Sequence, residues 1–157
     1  KGILLFRSTL YRFTCYLIES NNGSTNNLII VCINNNMHDV IRDLLQMQNQ
    51  IRVFHWQTKN YAAHKALGKA YESLDELIDT FVETALGRKE ASFINGSITI
   101  NLFDSGKLTH EDALETYKAF LSEFSQKLSP DNDTDLMNIR DEMLGVLNHT
   151  SYLLTLK

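Results

Sequence analysis

His55 to Glu83 reads HWQTKNYAAHKALGKAYESLDELIDTFVE. Within it, and just beyond, Leu67, Ala70, Leu74, Ile78, Phe81 and Ala85 recur at spacings of three and four. That is the single apolar stripe of an amphipathic helix, predicted over about 62–88, with Gly87 as its terminator. Upstream, Val40, Leu44, Met47, Ile51 and Phe54 form a second stripe. It predicts a helix over 38–57, roughly 30 Å long at 1.5 Å per residue. Asp39 and Asp43 sit near its start, where the helix dipole favours acids. Only the polar connector Thr58-Lys59-Asn60 separates the two helices.

Downstream, Asn95-Gly96 is a turn signal and Ser97 to Phe103 (SITINLF) alternates like a strand. A two-stranded excursion and an irregular crossover both fit residues 90–108. Thr109 with Asp112 three residues on resembles a capping box, with Asp in place of Glu or Gln. Leu114, Tyr117, Leu121, Phe124 and Leu128 then mark a third helix, ended by Ser129-Pro130. Asp133 or Thr134 caps a fourth, with Leu136, Ile139, Met143, Val146 and Leu153 or Leu154 as its stripe. Four helices with one apolar stripe each bury themselves together, so the expected fold is all-α, a four-helix bundle. The linker between helices two and three is long enough to run the length of the bundle, as in a ferritin-like crossover.

Residues 1–36 differ in character from the rest of the chain. KGILLFRSTLYRFTCYLIES has no clean period, NNGSTNN is a loop signal, LIIVCI is strand-like and NNN closes the segment. They read as an N-terminal appendage or leader, packed as a strand pair or a helix, with the bundle unit over 37–157.

The 157 residues suit one domain, and one proline with seven glycines argues against a loop-rich all-β design. The net charge of −4 gives no general attraction to nucleic acid. Lys1, Arg7 and Arg12 against Glu19 are too sparse for a DNA arm, so DNA binding is not expected. Cys15 and Cys32 could bridge but do not make a secreted disulfide framework. No apolar run is long enough for a membrane span, and Arg7 and Arg12 break any signal-peptide pattern. The expected location is cytoplasmic. Asn-x-Ser/Thr sequences at Asn22, Asn95, Asn132 and Asn148 read as chance in an Asn/Thr-rich chain.

Asp79 and Glu83 are one helical turn apart on one face, and His64 lies within about 60° of Asp79 around that helix. Asp75 shares the face and His55 ends the preceding helix. Imidazole with carboxylate suits iron, zinc or manganese. The plain alternative is a satisfied histidine and a solvated acidic face. His64 and Asp79 are also some 22 Å apart along the axis. If they share a metal, an antiparallel second copy brings its histidines to the first copy's acids. A two-fold dimer does this at two equivalent sites.

His55-Trp56, His64, Tyr71, Asp79 and Glu83 together resemble the Dps family, the DNA-protecting ferritin-like proteins of starved bacteria. The start of the fourth helix, DNDTDLMNIRDEML, is also similar to that family's last helix. The resemblance covers roughly 38–157 in layout and 44–84 in motif. It implies a ferritin-like four-helix subunit with a long crossover between helices two and three, and a hollow dodecamer built from dimers. It implies ferroxidase sites at two-fold interfaces, with His55 and His64 from one subunit and Asp79 and Glu83 from its partner. Iron would be oxidised there, often by hydrogen peroxide, and stored as mineral.

Two departures stand out. The family has an Asp four residues after the second His, where this chain has Gly68, and the His55–His64 connector is about three residues short. Asp75 is a candidate replacement. The rival expectation is therefore a catalytically degenerate ferritin-like scaffold or binding module. Trp56 reads as a core or interface aromatic and Tyr71 as packing, while His110 and His149 read as ordinary. The Glu-x-x-His pair of di-iron sites inside one bundle is absent.

Overall fold

The computed structural model describes the backbone of 4–7, 14–22 and 25–33, and residues 37–88 and 97–156 in full. Three antiparallel strands come first: β1 (Leu4–Arg7), β2 (Thr14–Asn22) and β3 (Thr25–Ile33), in the order β1-β2-β3. LIIVCI is strand, as its β-branched run suggests, and β2 and β3 extend into the Asn-rich stretch from both sides. The register sets Cys15 opposite Cys32. The NNN at 34–36 lies outside the described residues.

The described residues of 37–88 and 97–156 are all-α, with four helices: α1 (Met37–Gln57), α2 (Tyr61–Gly87), α3 (His110–Ser125) and α4 (Thr134–Thr155). The expected stripes of α1, α2 and α3 form the core; on α4 the buried face is Leu136, Arg140, Met143, Leu147 and Thr150, and the expected Ile139 and Val146 are only half-buried because they flank that face. Ile51, Leu67, Leu74, Leu121 and Leu147 are completely buried. Each contributes about 1.5–3 kcal/mol of burial free energy. Local chemistry sets the starts. Asn60 Oδ1 accepts from the Ala63 N–H at 3.0 Å to cap α2. Thr109 Oγ1 accepts from the Asp112 N–H at 3.1 Å to cap α3. The Thr109 hydroxyl donates in turn to the Asp112 carboxylate at 2.8 Å. Asp133 is the N-cap residue of α4 but makes no capping bond. Its carboxylate accepts from the Ser129 N–H at 2.7 Å and from Arg88 instead.

The alternation at Ser97–Phe103 does not make a strand. It serves a different ladder. The N–H groups of Asn101, Phe103 and Ser105 donate to the side-chain oxygens of Gln46, Gln50 and Gln57, at 2.9, 2.8 and 2.7 Å. Gln50 also donates from Nε2 to the Phe103 carbonyl at 2.8 Å. An extended segment needs its backbone groups paired, and one face of α1 supplies the partners that a neighbouring strand would otherwise provide. Eleven residues of helix rise about 16 Å. Four extended residues cover about 13 Å, so the two ladders keep pace.

The described part of the crossover, from residue 97 on, thus runs along α1 in the same direction, and α3 begins near the end of α1, with the rings of Phe54 and His110 6.4 Å apart. At the other end Phe81 of α2 meets Phe124 of α3 at 5.6 Å. Helices α2 and α3 therefore run parallel. Helix α4 returns antiparallel to α2, its start tied to the end of α2 by Arg88, which bonds Asp133, Asp135 and the Asn132 carbonyl.

Candidate functional site

The connector between α1 and α2 is so short that it folds the two histidine-bearing ends onto each other. His55 and His64 stack with ring centroids 3.8 Å apart and a 23° tilt. Each Nδ1 bonds the other residue's backbone carbonyl: His55 to His64 at 2.8 Å, and His64 to His55 at 3.0 Å. A carbonyl only accepts, so both rings carry their proton on Nδ1 and are left with a lone pair on Nε2 when neutral. The Tyr71 ring meets His55 edge-on at 5.3 Å, and the Arg52 guanidinium lies over Tyr71 at 4.8 Å. Tyr71 packs against the core, as read from the sequence.

Gly68 is part of this clasp. A Cβ there would sit 3.0 Å from His55 Cε1 and 3.1 Å from its Nδ1. The position that holds a carboxylate in the resembling family is therefore filled, from the other side, by the His55 ring. A side chain at 68 would require the His55 ring to shift by a few tenths of an ångström.

The acids lie elsewhere. Asp79 and Glu83 are exposed on α2, well down the helix from the imidazoles. Asp75, the candidate replacement for the missing acid, accepts from Gln48 Nε2 at 2.9 Å, which ties it to α1. Among the described residues, no group of three or more His, Cys, Asp or Glu side chains within one chain is placed to hold a metal ion. The structure thus brings His55 and His64 together and leaves Asp79 and Glu83 apart from them. The stack adds a restriction. A metal ligated by imidazole lies in the ring plane about 2.0–2.1 Å from nitrogen. Two rings 3.8 Å apart, even with their tilt, do not aim both lone pairs at one point. An ion at this place would take one ring of the pair.

Trp56 is not a core residue: it is 68% exposed. His110 sits beside Glu111 at 2.7 Å, and His149 is exposed on α4. Sequence reading missed the clasp and the glutamine ladder. Both had a signal: the short connector with Gly68 one turn after His64, and glutamines at 46, 50 and 57 on one face of α1.

A family model described as "Family of unknown function (DUF5856)" matches residues 55–154, well over half of the chain. The chain belongs to this family. The family match opens on His55 and takes in the clasp, the crossover, α3 and nearly all of α4. The chain is also similar to an uncharacterized 14.6 kDa protein from the mobD-ri intergenic region of Enterobacteria phage T4. The two are 27% identical over 114 residues, which is 73% of this chain and 84% of the phage protein. No solved structure matches. Among the described residues no helix is long and apolar enough to cross a membrane.

Proposed function

We propose that this DUF5856 chain is a ferritin-like subunit that binds and oxidises Fe(II) at sites shared between two copies and stores the product within a larger shell, a dodecamer built from dimers. Fe(II) is the substrate, with hydrogen peroxide as the oxidant class. Two Fe(II) give one electron each, and peroxide with two protons leaves as water. His55 or His64 supplies the neutral imidazole, and Asp79 and Glu83 of the partner copy supply the anionic oxygens. The observation that carries this reading is the pair of Nδ1–carbonyl bonds. Metal-binding histidines are usually oriented this way, by a bond from the other ring nitrogen to a carbonyl or carboxylate. The parallel α2 and α3, joined by a crossover along α1, support the ferritin-like part of the proposal.

A second reading has its own support. The stack and the filled space at Gly68 suit a histidine pair kept to close the α1–α2 hairpin, in a scaffold that has lost the chemistry. Fe(II) oxidation with peroxide separates the two. The first reading expects turnover in the wild type, with little left in Asp79→Ala, whose side chain is exposed and whose fold is retained. Equal rates in both proteins remove the site assignment, and no turnover in either favours the scaffold.

A further inference from the structure

The outward stripe of α2 reads Tyr61, Lys65, Lys69, Glu72, Glu76, Asp79, Glu83, Leu86, at spacings of four and three. All eight are exposed, Tyr61 by 76% and Leu86 by 46%. The signs are segregated. No Asp or Glu occurs from Leu44 to Tyr71, and no Lys or Arg from Glu72 to Glu83.

Within one chain this order is unfavourable. Bases lie near the start of the helix and acids near its end, against the dipole; the first turn has no acid and the last no base. Lys65 with Lys69, Glu72 with Glu76 and Asp79 with Glu83 are like charges one turn apart, a destabilising spacing. Among the described residues none of the six joins an ion pair; the paired cations are Arg42, Arg88, Lys118 and Arg140.

Read backwards, the same stripe complements itself. We propose that it is a homodimer seam, α2 packing antiparallel on α2 of a second copy about a two-fold axis. Tyr61 then faces the partner's Leu86, Lys65 its Glu83 and Lys69 its Asp79, each pair occurring twice by symmetry. Glu72 faces the partner's Glu76 at the axis, the one repulsive step. The seam shares its two-fold with the proposed iron site, setting His64 level with the partner's Glu83, but it needs no metal.

Sedimentation in EDTA at low salt therefore tests it apart from iron chemistry. The wild type runs as a dimer of the 18.0 kDa chain or as an even-numbered assembly of such dimers, and the seam opens as salt rises. Lys65→Glu/Lys69→Glu and Asp79→Lys/Glu83→Lys each weaken self-association about 100-fold or more, and a mixture of the two forms a heterodimer. Glu72→Gln tightens the dimer. Circular dichroism confirms that each variant is folded. A monomeric wild type in EDTA overturns the seam even if the protein turns over iron. So does a variant that dimerises as the wild type does, or a mixture that stays monomeric. A dimer that fails to oxidise iron overturns the iron reading and leaves the seam standing.

Discussion

Gly68→Ala is the sharpest perturbation of the α1–α2 clasp, because helix propensity and packing pull in opposite directions. Position 68 is a helix interior, where alanine is favoured over glycine by about 1 kcal/mol. The new methyl would lie 3.0 Å from the His55 ring, tighter than most such contacts, so the ring must give by a few tenths of an ångström. Three contacts resist that shift: His64 stacks on the ring at 3.8 Å, Tyr71 meets it at 5.3 Å, and its Nδ1 is held to the His64 carbonyl at 2.8 Å. Losing the hydrogen bond costs about 1 kcal/mol. Losing the ring contact costs about 0.5–1.5 kcal/mol. The expected net effect is a destabilisation of about 0.5–1.5 kcal/mol in urea unfolding. In a His55→Ala background the clash is gone, and the same substitution should stabilise by about 1 kcal/mol. The sign reversal is the test. Gly68→Ala stabilising equally in both backgrounds would refute the account of the clasp and of why this position lacks a carboxylate.

Buried polar groups set the other expectations. Asp43 is buried in α1 beside Arg42, and burial pushes its carboxyl from 3.8 up to about 6. The folded chain therefore holds this proton more tightly than the unfolded chain, so stability falls as pH rises from about 4 through 6 and stays lower above. Asp43→Asn should stabilise at pH 7 by up to about 3 kcal/mol, less whatever Arg42 loses. The gain should vanish below about pH 4, and equal shifts of the unfolding midpoint at pH 7 and pH 4 would contradict this. Gln50 is fully buried, with both amide ends on the Phe103 backbone. Gln50→Leu leaves the half-buried Phe103 N–H and C=O without these partners and should cost about 1–3 kcal/mol, seen as a lower Tm; an unchanged Tm would mean the glutamine ladder does not hold the crossover.

Much of the helical architecture was legible because each helix has a single apolar stripe at three-and-four spacing, and Thr109 announced the start of α3 as it should. The alternation of Ser97–Phe103 was legible too, but its meaning was not. Period two says that alternate residues share a face, not whether a strand or a row of glutamines pairs with them. The site was harder. That His55 and His64 meet follows from connector length, which the sequence shows, but stacking depends on side-chain angles that no spacing encodes. Asp133 illustrates a further limit: a residue suited to cap α4 spends its carboxylate on Arg88 and Ser129, partners too distant in sequence to foresee. Trp56 reads as packing only if a second copy is counted, which one chain does not reveal.

The central claim is that imidazoles and carboxylates too far apart in one chain become one site between two. Subunit mixing tests it directly. One parent carries His55→Ala and His64→Ala, the other Asp79→Asn and Glu83→Gln, so neither homodimer holds a complete site. In a hybrid dimer one of the two sites is intact. Half of a one-to-one mixture is hybrid, so Fe(II) oxidation should return to about a quarter of the wild-type rate. A mixture no more active than its two inactive parents, or a carboxylate-deficient parent as fast as wild type, would contradict the account.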